Sequence, residues 1–278
     1  MWYYFSDNKR VGPVADAAMM VLYSRGALSK DSPVLRRGTK KWQKFGDTKL
    51  FKKMNEKSAD RIDALKSKTM LFRAFLVSFC ALLVGTILIE YKRAGYFESV
   101  LDRGGAESAF LECVGREYWM TSMAFSAVLF VMFLFVARFA GGWIIEVVSN
   151  TRSLDKGCRL SPVFTAFSFL IPVVNLYSPF VALGSVYRTS KRISGRHFTA
   201  VDANLLFLWW FFSIFAAVMF ILEKTMFGSF GNIEAAKGII MFEALAGASV
   251  MAAGVFWIIV VSKICFYQAK AMRRANLL

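Results

Sequence analysis

The chain has 278 residues, of which 56% are hydrophobic and 16% aromatic, and its mean hydropathy is +0.46. An average soluble domain is about 45–50% apolar, so this composition argues against a single soluble core. The net charge is +16, although only 19% of the residues are charged. Positive charge that is concentrated in a few segments is typical of a membrane protein with several spans and basic loops.

Residues 1–69 differ from the rest of the chain, because they are strongly basic and contain no uncharged stretch long enough to cross a bilayer. Aromatic strand-forming residues at 2–5 precede the breaker Gly12-Pro13, and apolar residues recur at helical spacing over 15–25. A second short strand at 32–36 and Trp42 follow. We therefore predict a small folded domain at 1–50 and a basic linker at 51–69.

The first 50 residues carry a set of aromatic, glycine and proline positions with a distinctive spacing: Trp2-Tyr3-Tyr4, Gly12-Pro13, Met19, Gly26, Val34, Gly38 and Trp42. With this set the segment resembles the bacterial variant of the GYF domain. The resemblance implies a small α+β adaptor fold, whose eukaryotic members bind proline-rich peptides. It also implies a peptide-binding face, for which the candidate residues are Trp2, Tyr4, Met19, Tyr23 and Trp42.

The resemblance has departures that bear on binding. Where the peptide-binding members carry aromatic residues, this chain has Val14, Leu22, Ala27 and Leu28. Proline ligands dock on aromatic faces, so we expect weak binding. In the alternative interpretation, Trp2 and Trp42 are core residues of the small domain.

Residues 70–278 are predicted to form a helical transmembrane domain, because four stretches of about 20 residues lack charge or nearly so. These stretches are 74–89, 118–137, 203–222 and 244–262. A fifth uncharged stretch, 161–187, is interrupted by Pro162, Pro172 and Pro179. Since irregular backbone at membrane depth must be covered by other helices, we expect this stretch to form a re-entrant or interfacial hairpin.

The charges of the loops predict the topology. Residues 90–117 contain six acidic and four basic residues, and 223–243 contain three acidic and two basic residues, so both loops are predicted to be exterior. The loops 138–160 and 188–202 and the C-terminal tail are basic and are predicted to be cytoplasmic. We therefore expect a multi-pass protein of the inner (plasma) membrane with both termini in the cytoplasm.

The membrane part resembles a bacterial family of integral membrane proteins of unknown function that often follow this same GYF-like domain. The resemblance rests on Trp143, Asn150, Pro162, Phe169-Leu170-Ile171-Pro172, Asn175-Leu176, Pro179 and Trp209-Trp210. The family brings no established activity. The resemblance therefore implies an architecture and no particular chemistry.

The proline-broken hairpin supplies a second candidate site. Pro172 and Pro179 remove backbone donors and are expected to leave free carbonyls near Asn175. Glu146 and Asn150 lie four residues apart and therefore share a helix face near the cytoplasmic boundary. In transporters such broken segments form substrate or ion sites. The alternatives are simple packing for the prolines and, for Glu146, solvation or pairing with a loop arginine.

The cysteines and the single histidine argue against the common metal and disulfide sites. Cys80, Cys113, Cys158 and Cys265 lack C-x-x-C spacing, and His197 lies in a basic loop segment. The sequence also contains no serine-hydrolase elbow, phosphate loop, zinc-protease motif or dinucleotide fingerprint. We expect no enzyme activity, no catalytic residues, no metal and no cofactor.

Three functional interpretations remain open at this stage. The first is a membrane-anchored adaptor or scaffold whose GYF-like domain binds a protein or peptide partner, with a proline-containing segment as the specific candidate. The second is a small transporter or channel component that uses the hairpin, and the third is a lipid-modifying membrane enzyme. The basic patch at 36–44 favours an anionic lipid surface over nucleic acid as a further partner. Homo- or hetero-oligomers in the membrane are a further expectation.

Overall fold

The structure is a computed structural model that describes residues 1–6, 9–24, 26–102, 107–226 and 233–277. It consists of a small antiparallel sheet region followed by an almost entirely helical remainder. Among the described residues, four helices are long and apolar enough to cross a membrane. The predicted fold class, a small α+β domain joined to an α-helical membrane domain, is confirmed.

The small domain contains a four-stranded antiparallel sheet with the strand order β2-β1-β3-β4. Its strands are β1 (Trp2–Ser6), β2 (Lys9–Val14), β3 (Pro33–Arg36) and β4 (Gln43–Lys44). One helix, α1 (Asp16–Ser24), follows β2, and a 3₁₀ turn (Phe45–Asp47) follows β4. Gly12 has φ +134°, and a Cβ atom there would lie 2.6 Å from the carbonyl oxygen of Trp2, so this position in β2 requires glycine.

The core of the small domain extends past its predicted boundary at residue 50. Tyr23, Phe45 and Phe51 form a triangle of aromatic rings with centroid separations of 5.4 to 5.6 Å. Phe51 belongs to the next helix, α2 (Lys49–Asp102). The buried core as a whole comprises Trp2, Tyr4, Met19, Tyr23, Leu28, Val34, Phe45, Leu50 and Phe51. The first turn of α2 is therefore part of the small domain.

Helix α2 joins the two parts of the molecule without interruption over 54 residues. Residues 51–69, predicted as a linker, are entirely helical and form the first third of α2. About three to four turns beyond Phe51, Ile62 and Leu65 of the same helix are buried in the core of the membrane domain. The predicted linker is thus a rigid helix with side chains in both cores.

The membrane domain is a bundle of α2 and three further long helices. These helices are α3 (Glu107–Leu154), α7 (Ala200–Met226) and α8 (Ile233–Leu277). Helix α8 packs against both α7 and α2, and α2 also packs against α3. The candidate membrane-spanning stretches of the four helices are Lys49–Ile89, Met123–Leu154, Ala200–Glu223 and Gly238–Arg274.

Glycines of α8 allow it to approach α2 closely. A Cβ atom at Gly254 would lie 2.6 Å from the Sγ atom of Cys80, and one at Gly247 would lie 3.2 Å from Cδ1 of Ile87. Both glycines therefore face α2, and a Cβ atom at either position would require the facing side chain to shift. Close contact through small residues is a common way for membrane helices to pack.

The proline-rich segment between α3 and α7 is broken into three short helices, as its prolines predict. They are α4 (Pro162–Phe167), α5 (Pro172–Asn175) and α6 (Ser178–Ile193). Each has a proline at its first or second position, where a helix needs no backbone donor. Helix α4 packs against α3, and α6 packs against α8, α7 and α3. The breaks thus place the segment against the bundle instead of through it as one straight helix.

Candidate functional site

The two faces of strand β1 have opposite environments. Trp2 and Tyr4 are buried in the small core with exposed fractions of 4% and 9%, whereas Phe5 on the opposite face is 43% exposed. This follows from the alternation of side chains along a strand. The indole N–H of Trp2 donates a hydrogen bond to Oδ1 of Asp16 at 2.8 Å, which satisfies the polar atom of this buried ring.

The outer face of the sheet carries a small aromatic patch, which we call the outer aromatic face and define as Tyr3, Phe5 and Trp42. The rings of Phe5 and Trp42 lie 4.7 Å apart between centroids, and Trp42 is 38% exposed. The guanidinium of Arg10 lies 4.0 Å from the centroid of the Tyr3 ring. Strand pairing holds Tyr3 and Phe5, since Tyr3 faces Leu35 and Phe5 faces Arg10 across the sheet, and Trp42 lies directly before β4.

The predicted peptide-binding residues divide between the buried core of the small domain and its surface. Trp2, Tyr4, Met19 and Tyr23 all belong to the buried core, as the alternative interpretation held for Trp2. Trp42, in contrast, is on the surface. The peptide-binding role of these five residues stays a prediction. Since the other four are buried, Trp42 is the one among them that a ligand can reach in this structure. Phe5 and Tyr3 were not among the predicted residues.

Glu146 and Asn150 share one face of α3, as predicted, and Glu146 is held by a lysine of α2. Oε2 of Glu146 lies 2.6 Å from Nζ of Lys68, and Nδ2 of the buried Asn150 donates to Oε1 at 3.4 Å. Glu146 therefore forms an ion pair, which was one of the expected alternatives, but its partner is Lys68 of α2 and not a loop arginine. The contact joins α2 to α3.

The other candidate residues of the hairpin lie elsewhere. Asn175 is exposed at the end of α5, and Pro179 is buried at the start of α6. The hydrogen bonds and ion pairs described for Glu146 and Asn150 involve neither of them. Pro172 begins α5. The assignment of a site to these five residues stays a prediction.

One backbone carbonyl at the breaks is satisfied by a tryptophan of α7. The indole N–H of Trp210 donates to the carbonyl oxygen of Leu176 at 2.7 Å, and its ring lies 5.7 Å from that of Phe180. Trp209 packs on Phe169, which lies between α4 and α5, so Trp209 and Trp210 together contact the broken segment on both sides of α5. The carbonyl oxygen of Leu176, one of those near Asn175, therefore already has a hydrogen-bond partner within the chain.

A buried polar cluster is centred on Asp202, which sequence reasoning missed. Its Oδ2 atom lies 2.5 Å from Nζ of Lys191, and its Oδ1 atom accepts a hydrogen bond from the hydroxyl of Tyr187 at 2.6 Å. The N–H and the hydroxyl of Thr199 both donate to Oδ2, at 2.8 and 2.7 Å. Lys263 of α8 lies 3.9 Å away. This Asp202 cluster ties α6, α7 and α8 together.

The cluster satisfies a buried carboxylate with charged and neutral donors from every side, which is the condition under which a buried charge is tolerated. Burial, together with the hydrogen bond to Asp202, raises the pKa of Tyr187 above its ordinary value. The phenol therefore stays protonated and acts as a donor. The ammonium of Lys191 also lies 5.0 Å from the centroid of the Tyr267 ring.

Part of this cluster has a signal in the sequence. Thr199 and Asp202 are spaced as a capping box at the start of α7, in which the third residue of the helix accepts from the N–H of the cap. Tyr187 and Lys191 are four residues apart and share a face of α6. The pairing of the two motifs is tertiary and has no local signal.

We expect Asp202→Asn to destabilise the membrane domain by about 3–5 kcal/mol, because it leaves Lys191 buried without its counter-charge. The matched control is Asp155→Asn, which removes the partner of the exposed Arg192 and should cost less than about 1 kcal/mol. Unfolding of the detergent-solubilised chain measures both changes.

The double variant Asp202→Asn with Lys191→Met should recover part of the loss, since it also removes the unpaired charge. Equal unfolding free energies for the wild type and Asp202→Asn would show that the cluster does not hold the helices together.

Comparisons with known proteins identify two regions of the chain. The family described as GYF domain 2 matches residues 2–49. The N-terminal part is therefore a GYF-like domain, a type of protein-interaction module. No curated protein and no solved structure matches the chain. A second family matches residues 118–265, from α3 to the last third of α8. Because this match covers more than half of the chain, the protein belongs to the family described as Domain of unknown function (DUF4328).

Proposed function

We propose that the protein is a membrane-anchored adaptor, without enzyme activity of its own, whose GYF-like domain binds an extended segment of a partner protein on the outer aromatic face. The observation that carries the proposal is the pair of exposed rings of Phe5 and Trp42, which lie in contact at a tilted angle. Exposed aromatic surface held by a rigid sheet is a common recognition element, and aromatic grooves suit the preformed polyproline helix.

The charges around this face favour a particular ligand. Arg10, Arg37, Lys40 and Lys41 are exposed on the strands and loops that border it. Flexible basic side chains next to an aromatic patch attract acidic residues of a ligand and raise the rate of association. A proline-containing segment with acidic flanks is therefore the proposed partner sequence.

The anchoring part of the proposal rests on α2 and on the charges of the loops. Basic residues of the first turns of α2, such as Lys52 and Lys53, are exposed between the small domain and the bundle, where anionic lipid headgroups would attract them. An even number of spans places both termini on one side. We propose the inner (plasma) membrane with both termini in the cytoplasm, because the basic loops then share that side.

We expect Phe5→Ala and Trp42→Ala to weaken the binding of proline-containing peptides with acidic flanks by at least about tenfold, because each removes an exposed ring from the outer aromatic face. The measurement is a peptide-array screen on the full chain in nanodiscs, followed by titration of the strongest peptides.

Val21→Ala, which truncates an exposed apolar side chain of α1, is the control and should leave the affinity unchanged. If no peptide binds, or if both ring deletions bind as the wild type does, the outer aromatic face is not the recognition surface.

The topology is tested by labelling single cysteines in a variant whose four native cysteines are alanine. His197→Cys lies in the exposed loop before α7 and should react with an impermeant maleimide only after the cells are permeabilised. Tyr91→Cys, 77% exposed in wild type and beyond the first span, should react in intact cells. Labelling of position 197 from outside would contradict the proposed topology.

A further inference from the structure

The helical bundle contains a cavity of about 460 Å³ at its end far from the termini, where α2 and α7 leave their candidate spans and α3 and α8 enter theirs. None of its lining residues comes from the proline-broken segment, so the cavity is separate from the sites described above. On α7 the lining runs from Ser213 to Glu223, which corresponds to about 15 Å along the helix axis. The hydrocarbon core of a bilayer is about 30 Å thick, so the cavity has the depth of one leaflet.

The cavity lies beside a gap between two of the long helices. Among the described residues, α2 packs against α3 and α8, and α8 packs against α7, whereas α3 and α7 lack comparable packing against each other. Ser126 of α3 and Ala217 and Phe220 of α7 line the cavity and are also exposed at the surface. All three lie inside candidate spans. The opening of the cavity is therefore between α3 and α7, at a depth where the surroundings of a spanning helix are lipid chains.

The walls of the cavity are mainly apolar. Leu83, Phe125 and Val250 are among the lining residues, and the small side chains of Ala216 and Ala246 leave open the space that larger side chains would fill. Water does not fill an apolar cavity, and the cost of leaving a cavity empty grows with its volume. An occupant that makes hydrocarbon contacts with the walls removes this cost.

Polar groups in the walls are engaged within the chain. The hydroxyl of Thr86 donates to the carbonyl oxygen of Leu83 at 2.7 Å, and that of Ser213 donates to a carbonyl oxygen of its own helix at 2.8 Å. The two acidic lining residues, Glu223 and Glu243, also have interaction partners within the chain. These groups therefore do not require a polar or charged ligand, and the contacts that favour an occupant are those of the apolar walls.

We propose that this cavity holds an acyl chain of a bilayer lipid, which enters between α3 and α7 from the leaflet far from the termini. The depth of one leaflet, the opening at membrane depth and the apolar walls all fit a hydrocarbon chain. A chain in this position contacts both α3 and α7, which lack extensive packing against each other. The inference goes beyond the proposed adaptor function and does not depend on it.

The probe is a phosphatidylcholine with a photoreactive diazirine in the middle of one acyl chain. The full chain is reconstituted with it in nanodiscs and transferred to excess dodecyl maltoside, which dilutes the lipid around the protein, before irradiation and mass spectrometry. We expect label on the lining residues Leu83, Leu129 and Val250, and little on the outward-facing Val84 and Val128. Unlabelled phosphatidylcholine should compete, whereas glycerophosphocholine, which has the headgroup without chains, should not.

Two variants narrow the proposed site. Ala246→Leu fills the cavity and Ala217→Leu narrows its opening, so each should lower the labelling of lining residues at least about tenfold. Ala248→Leu adds the same volume to an exposed position of α8 outside the cavity and should label as the wild type does. Added phosphatidylcholine should raise the thermal midpoint of the wild type and of Ala248→Leu in detergent more than that of the other two variants.

Three results would overturn the proposal. The first is equal labelling of lining and outward-facing residues in the wild type, which needs no variant to be folded. The second is competition by glycerophosphocholine as strong as that by phosphatidylcholine. The third is wild-type labelling in both Ala246→Leu and Ala217→Leu.

Discussion

The continuity of α2 through two separate hydrophobic cores is the constraint on which the rest of the structure depends. Phe51 packs in the small domain and Ile62 in the bundle, and eleven helical residues rise only about 17 Å. A helix resists bending unless a proline, a glycine pair or a bulge interrupts its hydrogen bonds, and α2 contains no proline. The small domain is therefore held at a set orientation above the helical bundle, and any partner that it binds would be held there too.

Sequence reasoning located both domains, because composition and the lengths of the apolar stretches report directly on the environment of each segment. It could not identify the outer face of the sheet. Residues 2–5 are all aromatic, so the strand carries no alternation of polar and apolar residues to show which side faces the core. The packing of Met19 and Tyr23 of α1 against Trp2 and Tyr4 makes that choice. The exposed rings are consequently Phe5 and Trp42, and only Trp42 was predicted.

The membrane domain shows the same division between local and tertiary information. The positions of the prolines predicted where the helices of the segment after α3 begin and end, because a proline breaks a helix through its effect on the neighbouring residues of the chain. The Asp202 cluster depends on residues from three helices, and in the sequence its charges resemble those of an ordinary basic loop. The hydrogen bond from Trp210 to the carbonyl of Leu176 was likewise out of reach, although both residues lie in motifs that the sequence analysis singled out.

The rigid connection between the two domains is tested most directly by the distance distribution between two nitroxide labels, one at Lys9→Cys in β2 and one at Lys156→Cys after α3. Both positions are exposed, and the native cysteines are replaced by alanine. If α2 connects the two domains rigidly, the distribution in nanodiscs is single and narrow, and it broadens when a six-residue Gly-Ser insertion after Glu56 separates the two cores. A broad distribution in the chain without the insertion would contradict it.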